Sequence, residues 1–255
     1  MTPSKLFDLT GKTALITGGS RGLGLQMAEA LGEAGARLVI SSRKAAELEE
    51  AKAHLEARGI TVDYVAADIS KDAEMVRLAD EALAKLGRVD ILVNNAGAGW
   101  AAPAEDHPID AWDKLMNLNI RSLFVLSQQI AKRSMIPNKY GRILNISSGA
   151  GLRGFPNLIA YVTSKGAVVN FTRGLAADWG QYGITVNALA PGMFPSKMTE
   201  SQFEANGVEY YANAAPLNRV GDDEDLKGAA LLFVSDAGKH ITGQTLAVDG
   251  GASAV

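Results

Sequence analysis

Short apolar runs punctuate the chain at Thr13–Thr17, Arg37–Ser41, Thr61–Ala66, Val89–Val93, Arg142–Ile146, Thr185–Ala190 and Thr245–Val248. Val, Ile and Leu dominate them with little polar alternation, the pattern of strands covered on both faces. Between the runs lie longer stretches with helical patterning: Gly22–Ala34, Ala45–Arg58, Asp72–Leu86, Ile109–Met135, Leu158–Tyr182 and Asp223–Ser235. This alternation predicts an α/β fold, a doubly wound parallel sheet of seven strands with helices on both faces, three layers deep. No linker, repeat or low-complexity tract interrupts it, so residues 1–255 are expected to form one catalytic domain, with an insertion at about 193–216. Such folds bind ligands at the carboxyl ends of their strands.

Composition narrows the field. An apolar fraction of 47% over 255 residues suits a substantial core. The net charge is -3 with the signs interspersed and no basic block, which argues against nucleic acid. There is no cysteine, hence no disulfide and no need for an oxidising compartment. Met1 to Thr10 holds no apolar stretch of signal-peptide length, and no run is long enough to insert in a membrane, so a cytoplasmic protein is expected. His54, His107 and His240 are scattered, and no metal site is expected.

Three features carry candidate chemistry. The first run passes through Thr17-Gly18-Gly19-Ser20-Arg21-Gly22-Leu23-Gly24 into a helix. Glycines there allow a tight turn and close approach of a pyrophosphate to the helix N-terminus, whose N–H groups favour anions; the alternative is a glycine-rich turn with no ligand. The second run ends Ser41-Ser42-Arg43-Lys44, without the acid that would accept the ribose 2′-hydroxyl of NAD. Arg43 and Arg21 are instead suited to a 2′-phosphate, so NADP(H) is expected ahead of NAD(H), unless both are ordinary surface arginines. Finally, Tyr161 and Lys165 stand four residues apart, on one face of a predicted helix. A free phenol has a pKa of about 10, and an ammonium one turn away is expected to pull it down, giving a tuned acid/base.

Together these residues resemble the short-chain dehydrogenase/reductase superfamily, in its compact single-domain subclass with a Rossmann-type fold. The similarity runs from Leu9-Thr10-Gly11-Lys12 to Val248-Asp249-Gly250-Gly251. The family's Thr-Gly-x-x-x-Gly-x-Gly motif matches Thr17 to Gly24, its adenine-side Asp matches Asp68 in Ala67-Asp68-Ile69, and its Asn-Asn-Ala-Gly motif matches Asn94-Asn95-Ala96-Gly97. Its catalytic Ser matches Ser148, thirteen residues before Tyr161, in preference to Ser147. Its Asn matches Asn119 in preference to Asn117, and its Pro-Gly motif matches Pro191-Gly192. Where the family often has Thr five residues after that Pro, this chain has Ser196, within Phe194-Pro195-Ser196.

The resemblance implies reversible hydride transfer between a nicotinamide cofactor and a carbonyl or secondary alcohol. In that reading Tyr161 exchanges the proton, Ser148 bonds the same oxygen, Lys165 tunes the phenol and holds the nicotinamide ribose, and Asn119 supports Lys165 through a water. The implied cofactor surface comprises Gly18, Ser20, Arg21, Gly22, Leu23, Gly24, Ser42, Arg43, Asp68, Ile69, Asn95, Ala96, Gly97, Tyr161, Lys165, Pro191, Gly192, Phe194 and Ser196.

Substrate is expected over the nicotinamide, near Trp100, Ser148, Phe155, Met193 and Met198. The stretch Met193 to Pro216 is either a mobile lid or ordinary packing, and Arg153 either meets an acid group or is a surface arginine. Asn94 to Trp100 with Pro191 to Thr199 resembles NADPH-dependent 3-oxoacyl reductases, including those of glycolipid synthesis; Leu6-Phe7-Asp8-Leu9 and Asp225-Leu226-Lys227-Gly228 resemble gluconate 5-dehydrogenase-type enzymes. A 3-oxoacyl or general ketone reductase is favoured. The other classes weighed are a nucleotide-sugar epimerase or dehydratase, for which no further substrate domain follows the seventh run, and an inactive cofactor-binding scaffold, which could dispense with the Ser, Tyr and Lys retained here. The family usually forms homotetramers, and a homodimer is the alternative.

Overall fold

The computed structural model describes residues 2–255. Seven strands, β1 (Thr13–Thr17), β2 (Arg37–Ser42), β3 (Val62–Ala66), β4 (Ile91–Asn94), β5 (Gly141–Ile146), β6 (Ile184–Pro191) and β7 (Thr245–Val248), form one sheet in the order β3-β2-β1-β4-β5-β6-β7. Every pairing is parallel; Thr17 faces Ser41 across β1 and β2, and Asn94 faces Asn145 across β4 and β5. The chain crosses from the β3 edge to the other side of β1, and this reversal opens a crevice at the carboxyl ends of β1 and β4.

Alternate residues of each strand feed separate cores. Ile16 and Ile40 point to the layer of helices Gly22–Glu33, Ala45–Ala57 and Lys227–Val234, against Met27, Leu48 and Phe233. Leu15 and Val39 point to the layer of Asp72–Leu86, Ser122–Ile130 and Ile159–Trp179, against Leu78, Leu126 and Leu175. In the central strands both faces exclude water, which is why β1, β4 and β5 are apolar through their middles, whereas the edge strands β3 and β7 are only partly buried.

The expected β1, β7 and Asp72–Leu86 agree with the structure residue for residue. Other ends move for visible reasons. Val89 and Asp90 precede β4, where the Asp90 carboxylate accepts the Thr13 amide at 3.1 Å and the Arg88 Nε at 3.0 Å. The last long helix begins at Lys227 and not at Asp223, because Asp222 to Asp225 form a turn in which Asp225 accepts the Asp222 amide at 2.9 Å and pairs with Arg219. The stretch after Ile109 stays helical from Ile109–Met116 to Ile136–Asn138 but widens into π turns at Asn117–Arg121 and Ala131–Met135. Among the described residues no helix is long and apolar enough to cross a membrane.

Candidate active site

The glycine turn is clasped to the end of β4 by side chains. Thr17 Oγ1 accepts the amides of Asn95 and Ala96, each at 3.1 Å. The Asn95 side-chain amide donates back to the carbonyls of Thr17 (3.0 Å) and Gly18 (3.2 Å). So close an approach leaves no room for side chains: a Cβ on Gly18 would lie 2.7 Å from Asn95 Nδ2, and one on Gly24 only 2.2 Å from the Gly18 carbonyl oxygen. Gly18 also has φ +65°, a conformation that favours glycine. No side chain caps the helix that starts at Gly22, so its first N–H groups remain for a ligand.

At the end of β3 the Asp68 carboxylate accepts Ser70 Oγ at 2.7 Å and the Ser70 amide at 3.2 Å, which hold it below the usual carboxylate range. At the end of β2 the hydroxyls of Ser41 and Ser42 are buried without a partner. Arg43 is exposed and acts on Asp68 by its charge. Arg21 and Arg43 both line the cleft, but Arg21 pairs with Glu47 at 3.0 Å, and the second cation on that carboxylate is Lys44, also at 3.0 Å. Sequence reasoning passed over Glu47; its signal was the three-residue spacing from Lys44 at the start of a helix.

Ser148 follows β5 in extended backbone, its hydroxyl accepting the Ala150 amide at 3.1 Å. The neighbouring Ser147 also lines the cleft, but it is buried and its hydroxyl is spent on the Lys165 carbonyl at 2.8 Å. Lys165 is buried; its ammonium donates to the Ile146 carbonyl at 2.8 Å and lies 5.8 Å from the Tyr161 ring centroid. Asn119 comes from the first π turn and is fully buried. Its amide donates to the Ala98 carbonyl (2.9 Å) and Ser164 Oγ (3.0 Å), while its oxygen accepts the Ala98 amide (2.9 Å). A Cβ on Gly97 would lie 3.2 Å from that oxygen and 3.4 Å from Lys165 Nζ, so glycine lets the two side chains meet the chain there.

The electrostatics invert the expected direction for the phenol. Burial raises Tyr161 above its ordinary value, and an interaction with Ser148 lowers it only in part. Burial pushes Lys165 down to about 8. The ammonium is committed to the Ile146 carbonyl and lies beside the ring, and desolvation of the phenol prevails.

One cleft of about 990 Å³ joins these parts. Every cofactor-side candidate named above lines it, from Gly18 to Ser196, as do Ser148 and Met198. Asn119 stands behind the wall, and Trp100, Phe155 and Met193 lie outside the lining. Trp100 is 51% exposed, and Phe155 is stacked beneath the Arg153 guanidinium. Thr199, not singled out from the sequence, also lines the cleft; its hydroxyl donates to the Phe194 carbonyl at 2.6 Å and accepts the Ser196 amide at 3.0 Å. The glycine cradle and the unpartnered hydroxyls of Ser41 and Ser42 fit an elongated polar ligand such as a dinucleotide. His54 pairs with Glu29 at 2.7 Å, and no cluster of three or more metal-ligating side chains occurs among the described residues.

A parallel sheet with this glycine turn at its reversal point defines a dinucleotide-binding type of fold. A family model described as short chain dehydrogenase matches residues 12–207, and the chain belongs to the short-chain dehydrogenase/reductase family, an oxidoreductase family that uses nicotinamide cofactors. It is 38% identical over 252 residues to gluconate 5-dehydrogenase of Gluconobacter oxydans, covering 98% of each chain. It is 39% identical over 251 residues to the rhamnolipids biosynthesis 3-oxoacyl-(acyl-carrier-protein) reductase of Pseudomonas aeruginosa, covering 96% of this chain and 97% of the other. Its fold superposes with a TM-score of 0.95, at 36% identity and over 100% of both chains, on a gluconate 5-dehydrogenase from Burkholderia cenocepacia solved with NADP and tartrate.

Proposed function

We propose that the protein moves a hydride between NADP(H) and a ketone or secondary alcohol, with Tyr161 as the proton-exchanging residue. The observation that carries this reading is a single cleft continuous from the glycine turn to Ser148, Tyr161 and Lys165. The bound nicotinamide supplies or accepts the hydride. As charge grows on the carbonyl oxygen, the Tyr161 hydroxyl gives it a proton and the Ser148 hydroxyl gives it a hydrogen bond. A phenol kept neutral by burial holds that proton in place until the oxygen needs it. Lys165, still protonated below about 8, puts a positive charge beside the phenolate left behind. Asn119 acts at one remove: it ties Ala98 to Ser164, and Ser164 Oγ donates to the Tyr161 carbonyl at 2.8 Å, so it sets the position of the helix that carries Tyr161 and Lys165.

For the substrate, a keto derivative of a sugar acid is the first reading, supported by the relative from Gluconobacter oxydans and the structure from Burkholderia cenocepacia. A 3-oxoacyl thioester is the second. It is favoured by the apolar side chains exposed between Met193 and Pro216, among them Met198 and Val208, and by the relative from Pseudomonas aeruginosa. That segment carries the helices Glu200–Asn206 and Val208–Asn213, neither of which buries a residue, which supports its role as a substrate lid. Apolar side chains left exposed at Phe124 and Ile159, in the helices Ser122–Ile130 and Ile159–Trp179, support assembly into a homotetramer through those faces.

The test is steady-state NADPH oxidation with a 5-keto sugar acid and with a 3-oxoacyl thioester, for the wild type and Tyr161→Phe. The variant is expected to lose roughly three orders of magnitude in turnover while still binding NADPH. Turnover by the variant within about tenfold of wild type contradicts the assignment of Tyr161.

A further inference from the structure

We propose that Glu47 sets the cofactor preference of this cleft, competing with a 2′-phosphate for Arg21 and Lys44 and offering its own oxygen to a 2′-hydroxyl. The proposal rests on the dinucleotide reading above and concerns how the adenosine end is discriminated.

Glu47 lines the cleft together with Arg21, Arg43, Lys44 and Lys197. Its Oε1 receives both Arg21 Nη1 and Lys44 Nζ at 3.0 Å. The three side chains are not equally held. Arg21 and Lys44 are 50% and 65% exposed, long and free to swing, whereas Glu47 is 26% exposed and fixed in the first turn of Ala45–Ala57. Hydrogen bonding to Lys44, with the charges of Arg21, Lys44 and Lys197, keeps its carboxyl ionised below the usual range. Ser41 and Ser42 line the same cleft and their buried hydroxyls have no partner, so the end of β2 presents unused polar groups to whatever binds there.

A 2′-phosphate entering this corner meets a carboxylate that already occupies two of its cations. Binding requires Arg21 and Lys44 to turn from Glu47 to the phosphate, and leaves two like charges in one small space. A 2′-hydroxyl makes no such demand and can donate to the carboxylate. Glu47 therefore works against the 2′-phosphate while the arginines favour it, and the cleft is tuned to discriminate less than its cationic side chains alone would. The plainer account is that Glu47 merely supports its helix, through the dipole and the three-residue pair with Lys44. That account predicts no dependence on the 2′ substituent.

Calorimetric titration of the full-length chain with adenosine 2′,5′-bisphosphate, 5′-AMP, NADP+ and NAD+ separates the two. Glu47→Gln is expected to bind the bisphosphate and NADP+ at least about fivefold more tightly, the factor for one charge–charge repulsion at roughly 4 Å in water. Affinity for 5′-AMP and NAD+ is expected to stay within about twofold or to weaken, since an amide accepts a hydroxyl proton less strongly than a carboxylate. Arg21→Ala is expected to weaken the bisphosphate and NADP+, with 5′-AMP and NAD+ held within about twofold. Equal shifts for all four ligands in Glu47→Gln, or no shift in any, overturn the role of Glu47 while leaving the cofactor reading intact. Failure of the folded wild type to bind either dinucleotide overturns the cofactor reading and this proposal with it. A melting curve for each variant confirms that it is folded.

Discussion

Replacing Lys165 with methionine separates what the site needs from what the fold prefers. Burial carries this lysine from its ordinary 10.5 down to about 8, equivalent to roughly 3 kcal/mol held against its charged form. Below about 8 the folded and unfolded states both bind the proton, and the penalty is present in full. Between that value and 10.5 the unfolded chain binds more protons than the folded one, so wild-type stability rises with pH until the penalty is gone. Methionine has nothing to titrate and similar bulk, but it leaves the Ile146 carbonyl without its donor, a loss of about 1–3 kcal/mol. Lys165→Met is therefore expected to be more stable than wild type at pH 7 by about 1 kcal/mol, and to fall behind by pH 9.5, a swing of about 2 kcal/mol. Tyr161, raised by burial, takes stability away as pH climbs above its unfolded value near 10, but both proteins share it and it cancels in the difference. The assay is urea unfolding of both proteins at fixed concentration across that pH range, with turnover measured in parallel and expected to be lost in the variant. A stability difference that stays flat with pH refutes the claim that burial of an ammonium strains this site.

Gly24→Ala puts a Cβ 2.2 Å from the Gly18 carbonyl oxygen and 2.5 Å from Asn95 Nδ2; the turn must shift, and NADPH dissociation constants from fluorescence titration are expected to rise by about tenfold or more. Asn119→Ala leaves the Ala98 amide and carbonyl unpaired; unfolding is expected to cost about 2–4 kcal/mol less, read by urea titration, and unchanged stability contradicts its role as a tie between Ala98 and Ser164. Ser148→Ala removes one donor from the reacting oxygen, so kcat is expected to fall by about a hundredfold while NADPH affinity holds.

Much of this architecture was legible in the sequence because the decisive signals are local. β1 is apolar from Ala14 to Ile16 since Leu15 and Ile16 serve opposite cores, and the glycines at Gly18 and Gly24 record the room that Asn95 and the turn leave. What stayed hidden depends on contacts between distant segments. The π turn that buries Asn119 looks like ordinary helix in sequence, since widening a turn changes hydrogen bonds and not composition. The pairing of Arg21 with Glu47 joins the glycine turn to the first turn of the helix Ala45–Ala57, and no spacing within either segment reveals it. The sign for Tyr161 was misjudged from the spacing to Lys165, because a four-residue interval fixes proximity but not desolvation, and desolvation decides here. Ser147 and Ser148 share a motif, yet only a fold shows that Ser147 is spent on the Lys165 carbonyl.

The most direct test of the central claim is isotope transfer from NADPH carrying deuterium at the transferable C4 position, with a 5-keto sugar acid or a 3-oxoacyl thioester, followed by mass spectrometry of the alcohol. Direct hydride transfer completed by Tyr161 predicts deuterium on the carbinol carbon of the wild-type product and almost no labelled product from Tyr161→Phe, although that variant binds NADPH as before. Labelled alcohol formed at a comparable rate by Tyr161→Phe, or no label on the carbinol carbon of the wild-type product, contradicts it.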